Sequence, residues 1–406
     1  MIGYLTASLA LLAVACGPQA QADTLVTSSD PGLMRMAGEL LPDLAERAGL
    51  ELTRPVRIER RSREELGRYL EFKLEEELPD AKAEALTVSY GLLGLAPADL
   101  DLKSMFKAVY LEQVAGFYDP DSTMLFVLDD QPVELQEPLL VHELVHAIQD
   151  QATDLDAITD QDLGNDRKTA AQAAIEGHAT LIMFEFLMER MQGREVDVTD
   201  IPSFTDQIRP ALAAAQGQSP ALSAAPRIIR ESLLFPYLGG AAFVEALWKE
   251  QQGRPAPFAD WLPLSTEHIL HPESFVSGSP DLPTHVRLES VDGASPIYSA
   301  TLGELEVGIL LETHLGAAGA ELSEGWDGDR FDLYPTPAGG HSLVWVSVWD
   351  DVVSRDRFVG ALTPALGGFP QAASLTAADL DGRPGAVLAI GAPPLINVSL
   401  AGGFEE

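Results

Sequence analysis

The 406-residue chain has a single cysteine, Cys16, so no intrachain disulfide can form and stability must come from a packed core. Long apolar runs are also lacking. Beyond residue 15 no stretch is long and apolar enough to span a bilayer. Positive charge is scarce: Lys and Arg total 26 against 62 Asp and Glu, a formal net charge of −36. That field repels nucleic acid and anionic lipid, and there is no basic stripe, so nucleic acid is not expected as a partner. The plain reading of the charge is a solvated acidic surface. No internal repeat is present. Apolar residues make up 46%, enough for a sizeable core, and the length allows two or three domains.

Residues 2–15 carry no charge and are rich in Leu and Ala, which reads as a secretion signal. The run ends in Leu12-Ala13-Val14-Ala15-Cys16, which resembles the lipobox of bacterial lipoproteins. The resemblance implies a signal peptide over 1–15, a lipid on Cys16 and an exported cell-envelope protein. Such a protein touches the outer or cytoplasmic membrane only through its lipid and faces away from the cytoplasm. No Lys or Arg precedes the run, and Ala13 stands where Leu is usual; the alternative is an ordinary signal peptide with an incidental cysteine. Residues 16–30, small and polar, read as a tether.

The periodicity predicts helices over 33–48, 63–78, 81–93 and 100–115, and a short strand over 124–128. Pro138 is expected to open a helix running to about 151. A loop over 153–166 leads to a helix over 168–192, and 196–226 reads as irregular. Residues 227–251 are helical but broken near Pro236 and Gly239-Gly240, and 263–285 reads as loop. From about 300 the pattern mixes helices over 302–315 and 352–366 with strands over 331–334, 343–348, 386–390 and 395–400. The expected fold class is α+β: a mainly helical domain over 31–290 and a C-terminal α+β domain over 291–406.

Val141-His142-Glu143-Leu144-Val145-His146 contains H-E-x-x-H. On a helix, positions i and i+4 share a face about 6 Å apart at Cβ, so His142 and His146 can converge on one zinc ion. Glu143 then reaches a water rather than the ion. Accidental matches occur in on the order of one chain in a hundred of this length, so a second feature is needed. Ala173-Ala174-Ile175-Glu176-Gly177-His178-Ala179-Thr180 supplies it. Glu176 on the next helix completes a His2Glu set with one open position. Gly177 lets two helices approach closely. The alternative for Glu176 is a solvated helix charge.

The chain resembles the gluzincin zinc metallopeptidases, most closely a little-characterised bacterial group. The matching segments occur in order over about 80–365. They are Gly116-Phe117-Tyr118-Asp119-Pro120, the stretch from His142 to Gln151, Glu176-Gly177-His178-Ala179-Thr180, Phe235-Pro236-Tyr237-Leu238-Gly239-Gly240, Ser265-Thr266-Glu267-His268-Ile269-Leu270-His271-Pro272 and Gly325-Trp326-Asp327-Gly328-Asp329-Arg330. The spacing from His146 to Glu176 is longer than in thermolysin-like enzymes, and His178 stands where Asp is usual.

The resemblance implies a helical peptidase domain with a small antiparallel sheet above the motif helix. Residues 124–128 would be its edge strand, with Tyr118, Met124 and Phe126 beside a peptide or protein substrate. It implies zinc held by His142, His146 and Glu176, and Glu143 as general base. Candidate oxyanion donors are Tyr118, Tyr237, His268 and His271, with Tyr237 and His271 foremost as catalytic residues. His178, Thr180 and Asp150 are candidate acceptors for the ligand imidazoles, and His178 is also a candidate competing ligand. Rival readings are an inactive peptidase-fold scaffold, and a zinc amidase acting on cell-wall material. Trp326, Trp345 and Trp349 read as core rather than ligand surface. Residues 325–330, acidic but without the ligand series of a calcium loop, read as a structural turn.

Overall fold

The computed structural model describes residues 25–160, 163–216 and 219–401. The expected signal segment and Cys16 lie outside them. Two larger sheets, a two-stranded one and a set of long helices make an α+β fold. The expected tether ends earlier than 30. Val26 is buried in β1 (Val26–Thr27), and Asp30 caps α1 (Pro31–Ala48) through the backbone amides of Gly32 and Leu33.

The first sheet runs β1–β2–β4–β3, with β2 at Val56–Arg61, β3 at Gly116–Asp119 and β4 at Met124–Leu128. β1, β2 and β4 are parallel, and only β3 is antiparallel to its neighbour. The sheet is therefore mixed, and β4 is not the edge. Four of its five residues, Leu125 to Leu128, are buried, and its backbone pairs on both sides. Such a near-continuous apolar run belongs in a sheet interior. The free edge is β3, so Met124 and Phe126 cannot present backbone to a substrate; Phe126 packs on Phe117 and under Arg61 instead.

Helices α2 (Arg63–Glu77), α3 (Asp80–Leu92) and α4 (Leu102–Gln113) lie between β2 and β3 in sequence. Ser62 and Glu65 close a capping box at the start of α2. The motif helix, α5 (Val133–Ala152), starts five residues before Pro138. Leu140, Leu144 and Ile148 recur every four residues and bury into the core that contains Leu41, Leu44 and Ile58.

Helix α6 (Asn165–Gln192) carries Glu176, and α7 (Arg227–Glu250) carries Tyr237. The expected break in α7 does not occur. A Cβ at Gly177 would fall 2.0 Å from the Gly240 carbonyl carbon, and one at Gly240 would fall 1.9 Å from the Ala173 oxygen. The two backbones touch, and this packing overrides the poor helix propensity of Pro236 and Gly239-Gly240. Residues 204–216 and 220–224 are helical too, so much of the stretch expected to be irregular over 196–226 is ordered as helix. The segment expected as loop over 263–285 contains two short helices, Thr266–Leu270 (α8) and Pro272–Val276.

The second sheet is antiparallel and ordered β6–β7–β8–β10–β9. Its strands are β6 (Tyr298–Ala300), β7 (Trp326–Pro335), β8 (His341–Trp349), β9 (Ala373–Leu380) and β10 (Arg383–Ile390). Helices α9 (Gly303–Leu315) and α10 (Val352–Leu362) pack on one face, around Trp345, Trp349 and Phe358. The pair β5 (His285–Ser290) and β11 (Ile396–Ala401) covers the other. Trp326, Trp345 and Trp349 are core. The first two donate their indole N–H to Asp329, and the third donates to Ser347. Residues 326–330 are not a turn but the start of β7, with an irregularity in register at Asp327.

Gly177→Ala forces α6 and α7 apart. The expected loss is about 3 kcal/mol of unfolding free energy, measured by denaturant titration. An unchanged stability would contradict the close crossing.

Candidate metal centre

Helix α5 projects His142, Glu143 and His146 toward α6, which returns Glu176. His142 Nε2 stands 3.1 Å from Glu176 Oε2 and 3.1 Å from His146 Nε2; His146 Nε2 stands 3.4 Å from Glu176 Oε2. Ligands of one tetrahedral zinc, each about 2.0–2.1 Å from it, stand about 3.3–3.4 Å apart. The triangle has that size, so Glu176 is not a solvated helix charge.

The orientation of the rings supports a cation between them. His146 Nδ1 lies 2.8 Å from Gln149 Oε1. Gln149 Nε2 donates to the Ile175 carbonyl at 3.0 Å and to His178 Nδ1 at 3.1 Å. With its amide nitrogen so committed, Gln149 offers oxygen to His146, which assigns the His146 proton to Nδ1. The Nε2 lone pair is then left facing a second imidazole and a carboxylate. As bare side chains the group binds a proton tightly. Burial pulls the His146 pKa down, but the Glu176 charge and its hydrogen bonds outweigh this and raise it to about 9. Burial would raise Glu176, yet the neighbouring imidazoles hold it well below the usual carboxylate range. Two imidazole nitrogens and one carboxylate oxygen suit zinc.

Glu143 is 8% exposed, and burial raises its pKa. Its Oε2 accepts the backbone N–H of Tyr118 at 3.0 Å, which ties it to the free edge of β3. Tyr118 OH donates to Asp150, which also pairs with Arg54. Asp150 thus fixes β3 over α5 and serves neither histidine. Tyr237 stacks beside His142, ring centroids 6.3 Å apart. The Glu176 charge and burial keep its phenol protonated well above the usual range, so it remains a donor. Gly116, Tyr118, Leu139, Thr180 and Tyr237 line a cleft of about 1120 Å³ together with the four motif residues.

Several expected residues lie elsewhere. His271 is not among the residues that line the cleft and pairs through Nε2 with Glu304 of α9 at 2.9 Å, so the structure does not bring it to the centre. His268 is buried and holds the Asp281 carbonyl. His178 is not a ligand. It is fully buried behind Gln149, with its pKa pulled down to about 3 by burial and by the nearby Arg254 and His146 charges, so it accepts as a neutral ring. Thr180 lines the cleft, but the acceptor for His146 is Gln149. Sequence reasoning missed Gln149, although it stands three residues beyond His146 on the same helix face. The Tyr118 amide had no sequence signal, because a backbone group carries none.

Gln149→Leu removes the acceptor that sets the His146 tautomer. Zinc affinity is expected to fall about 10- to 100-fold in a competitive chelator titration, with the fold retained. Unchanged affinity would remove Gln149 from this role.

Among known proteins, the chain matches one family description, a domain of unknown function (DUF8575), over residues 292–382. That match falls in the C-terminal region and does not include the centre. No curated protein and no solved structure matches the chain.

Proposed function

We propose that the chain is a zinc-dependent endopeptidase of the gluzincin type. The observation that carries this reading is the meeting of His142, His146 and Glu176 nitrogen and oxygen atoms within 3.4 Å, with Glu143 on the cleft side. Zinc held there supplies Lewis acidity and brings the ionisation of water into the neutral range.

The chain's own residues account for the remaining roles. Glu143, buried and beside the ligands, takes a proton from the attacking water and returns it to the leaving amine. Its raised pKa makes it a stronger base toward that water than an ordinary carboxylate. Tyr237, protonated and next to His142, offers an O–H to the negative charge that develops on the scissile carbonyl oxygen. The outer edge of β3, which faces no other strand although Glu143 holds its Tyr118 N–H, aligns an extended peptide by strand addition, which favours a peptide or protein substrate over other amides. Both imidazoles, Glu176 and the carboxylate base are intact, which weighs against a scaffold that has lost its chemistry.

The uncharged run before Cys16 supports a further part of the proposal: an exported, lipid-anchored enzyme of the cell envelope. Among the described residues no helix is long and apolar enough to cross a membrane.

Metal analysis beside a peptide-library digest tests the reading. The parent is expected to hold about one zinc per chain and to cleave. Glu143→Gln keeps the zinc and loses about 10²–10⁴-fold in rate, whereas His142→Ala loses the zinc as well. Cleavage by Glu143→Gln at the parent rate would sink the assignment.

A further inference from the structure

A second group of acids gathers away from the cleft, where α8 meets the second sheet. Glu267 on α8, Asp281 in the segment after it and Asp350 just beyond β8 each bring a carboxylate oxygen within 4.8 Å of the others. Glu304 and Asp327 are close enough to add their charge. Two cations beside the group are already engaged: Arg383 with Asp327, and His271 with Glu304.

Glu267 carries the argument. It is 8% exposed, and its Oε2 is buried with no hydrogen-bond partner in the protein. Glu304, 2% exposed, also has a buried Oε2 without a partner. Burying an unsatisfied carboxylate oxygen among like charges is costly unless a positive species meets it. Burial and the neighbouring acids push Glu267 up to about 10 and Asp350 up to about 6. A proton on Glu267 would answer its own burial but not the like charges of Asp281 and Asp350, which stand exposed at the rim of the group. A divalent cation neutralises all three.

The surroundings are built rather than loose. His268 Nδ1 accepts the Leu264 N–H at 3.1 Å, and its Nε2 holds the Asp281 carbonyl, so the chain bearing Asp281 is fixed to α8. Asp350 N–H donates to the Gly325 carbonyl at 2.9 Å, which fixes the third acid to the start of β7. Oxygen donors from separate segments suit a hard cation. Calcium takes about 6–8 oxygens at about 2.3–2.6 Å in irregular shells, whereas magnesium demands a small octahedron. The group is made of carboxylates alone, with no thiolate or imidazole among its members to favour zinc.

We infer that Glu267, Asp281 and Asp350 form a calcium site, distinct from the cleft, that fastens α8 to the C-terminal sheet. Glu267 belongs to the Ser265–Pro272 segment, which supplies no residue to the cleft, and the Gly325 carbonyl holds the Asp350 backbone. It does not rest on the peptidase reading.

The test titrates calcium chloride into the full chain in calcium-depleted buffer. Binding is followed by calorimetry and stability by thermal unfolding. One calcium per chain is expected. Tm should rise about 3–5 °C at a hundredfold excess over Kd. Glu267→Gln and Asp350→Asn should each weaken binding at least about tenfold. Should a variant fail to fold, terbium luminescence of the parent, excited through tryptophan and displaced by calcium, reports on the same site. Absence of calcium binding by the parent up to about 10 mM overturns the inference. So does a response that survives both substitutions unchanged, or a parent without terbium emission.

Discussion

Two imidazole lone pairs and a carboxylate, aimed at one point in a largely buried cleft, constitute an arrangement that only a positive species stabilises. The rest of the structure is arranged so that this point exists. Gln149 sets the ring of His146 and, through the Ile175 carbonyl, fastens α5 to the turn of α6 that bears Glu176. The contact of Gly177 with Gly240 brings α7 close enough for Tyr237 to reach the same point from the other side. The Tyr118 amide restrains Glu143 so that its carboxylate faces the cleft. Each restraint is a short-range packing or hydrogen-bonding fact, and each holds a different member of the group.

The residues of the centre were legible because their constraints are local. H-E-x-x-H needs only helix geometry, and Glu176 announces itself by a charge in an otherwise small and apolar helix face. The close approach at Gly177 was legible for the same reason. Residues whose role depends on tertiary placement were not. His271 lies in a segment full of polar residues, but α8 turns it toward Glu304 instead of the cleft. β4 has the composition of any short strand, and whether it is an edge depends on β2, which joins it from nearly 70 residues away in sequence. The helix α7 was expected to break at Pro236 and the glycine pair. That judgement used propensity alone, and the crossing with α6 supplies what propensity lacks.

The second sheet shows a similar division of labour at larger scale. Its tryptophans are sequestered, and Asp329 accepts two indole N–H groups as well as the amides at the start of α9. Its acids therefore serve two purposes. Asp329 is satisfied by donors and organises the core, whereas Glu267, Asp281 and Asp350 face one another at the junction with the helices. A chain with so large an excess of acids must place some of them near each other. What distinguishes the junction is that a carboxylate oxygen there is buried without a donor. The two acid clusters differ in chemistry, one mixed with imidazole and one made of oxygen alone, and so suit different cations.

The most direct measurement is anomalous diffraction from crystals of the full chain at the zinc absorption edge. The account predicts a peak about 2.0–2.1 Å from His142 Nε2, His146 Nε2 and a Glu176 oxygen, with Glu143 outside bonding distance. A peak held by other residues, or a Glu176 carboxylate turned away from the two rings in the zinc-loaded protein, would contradict it.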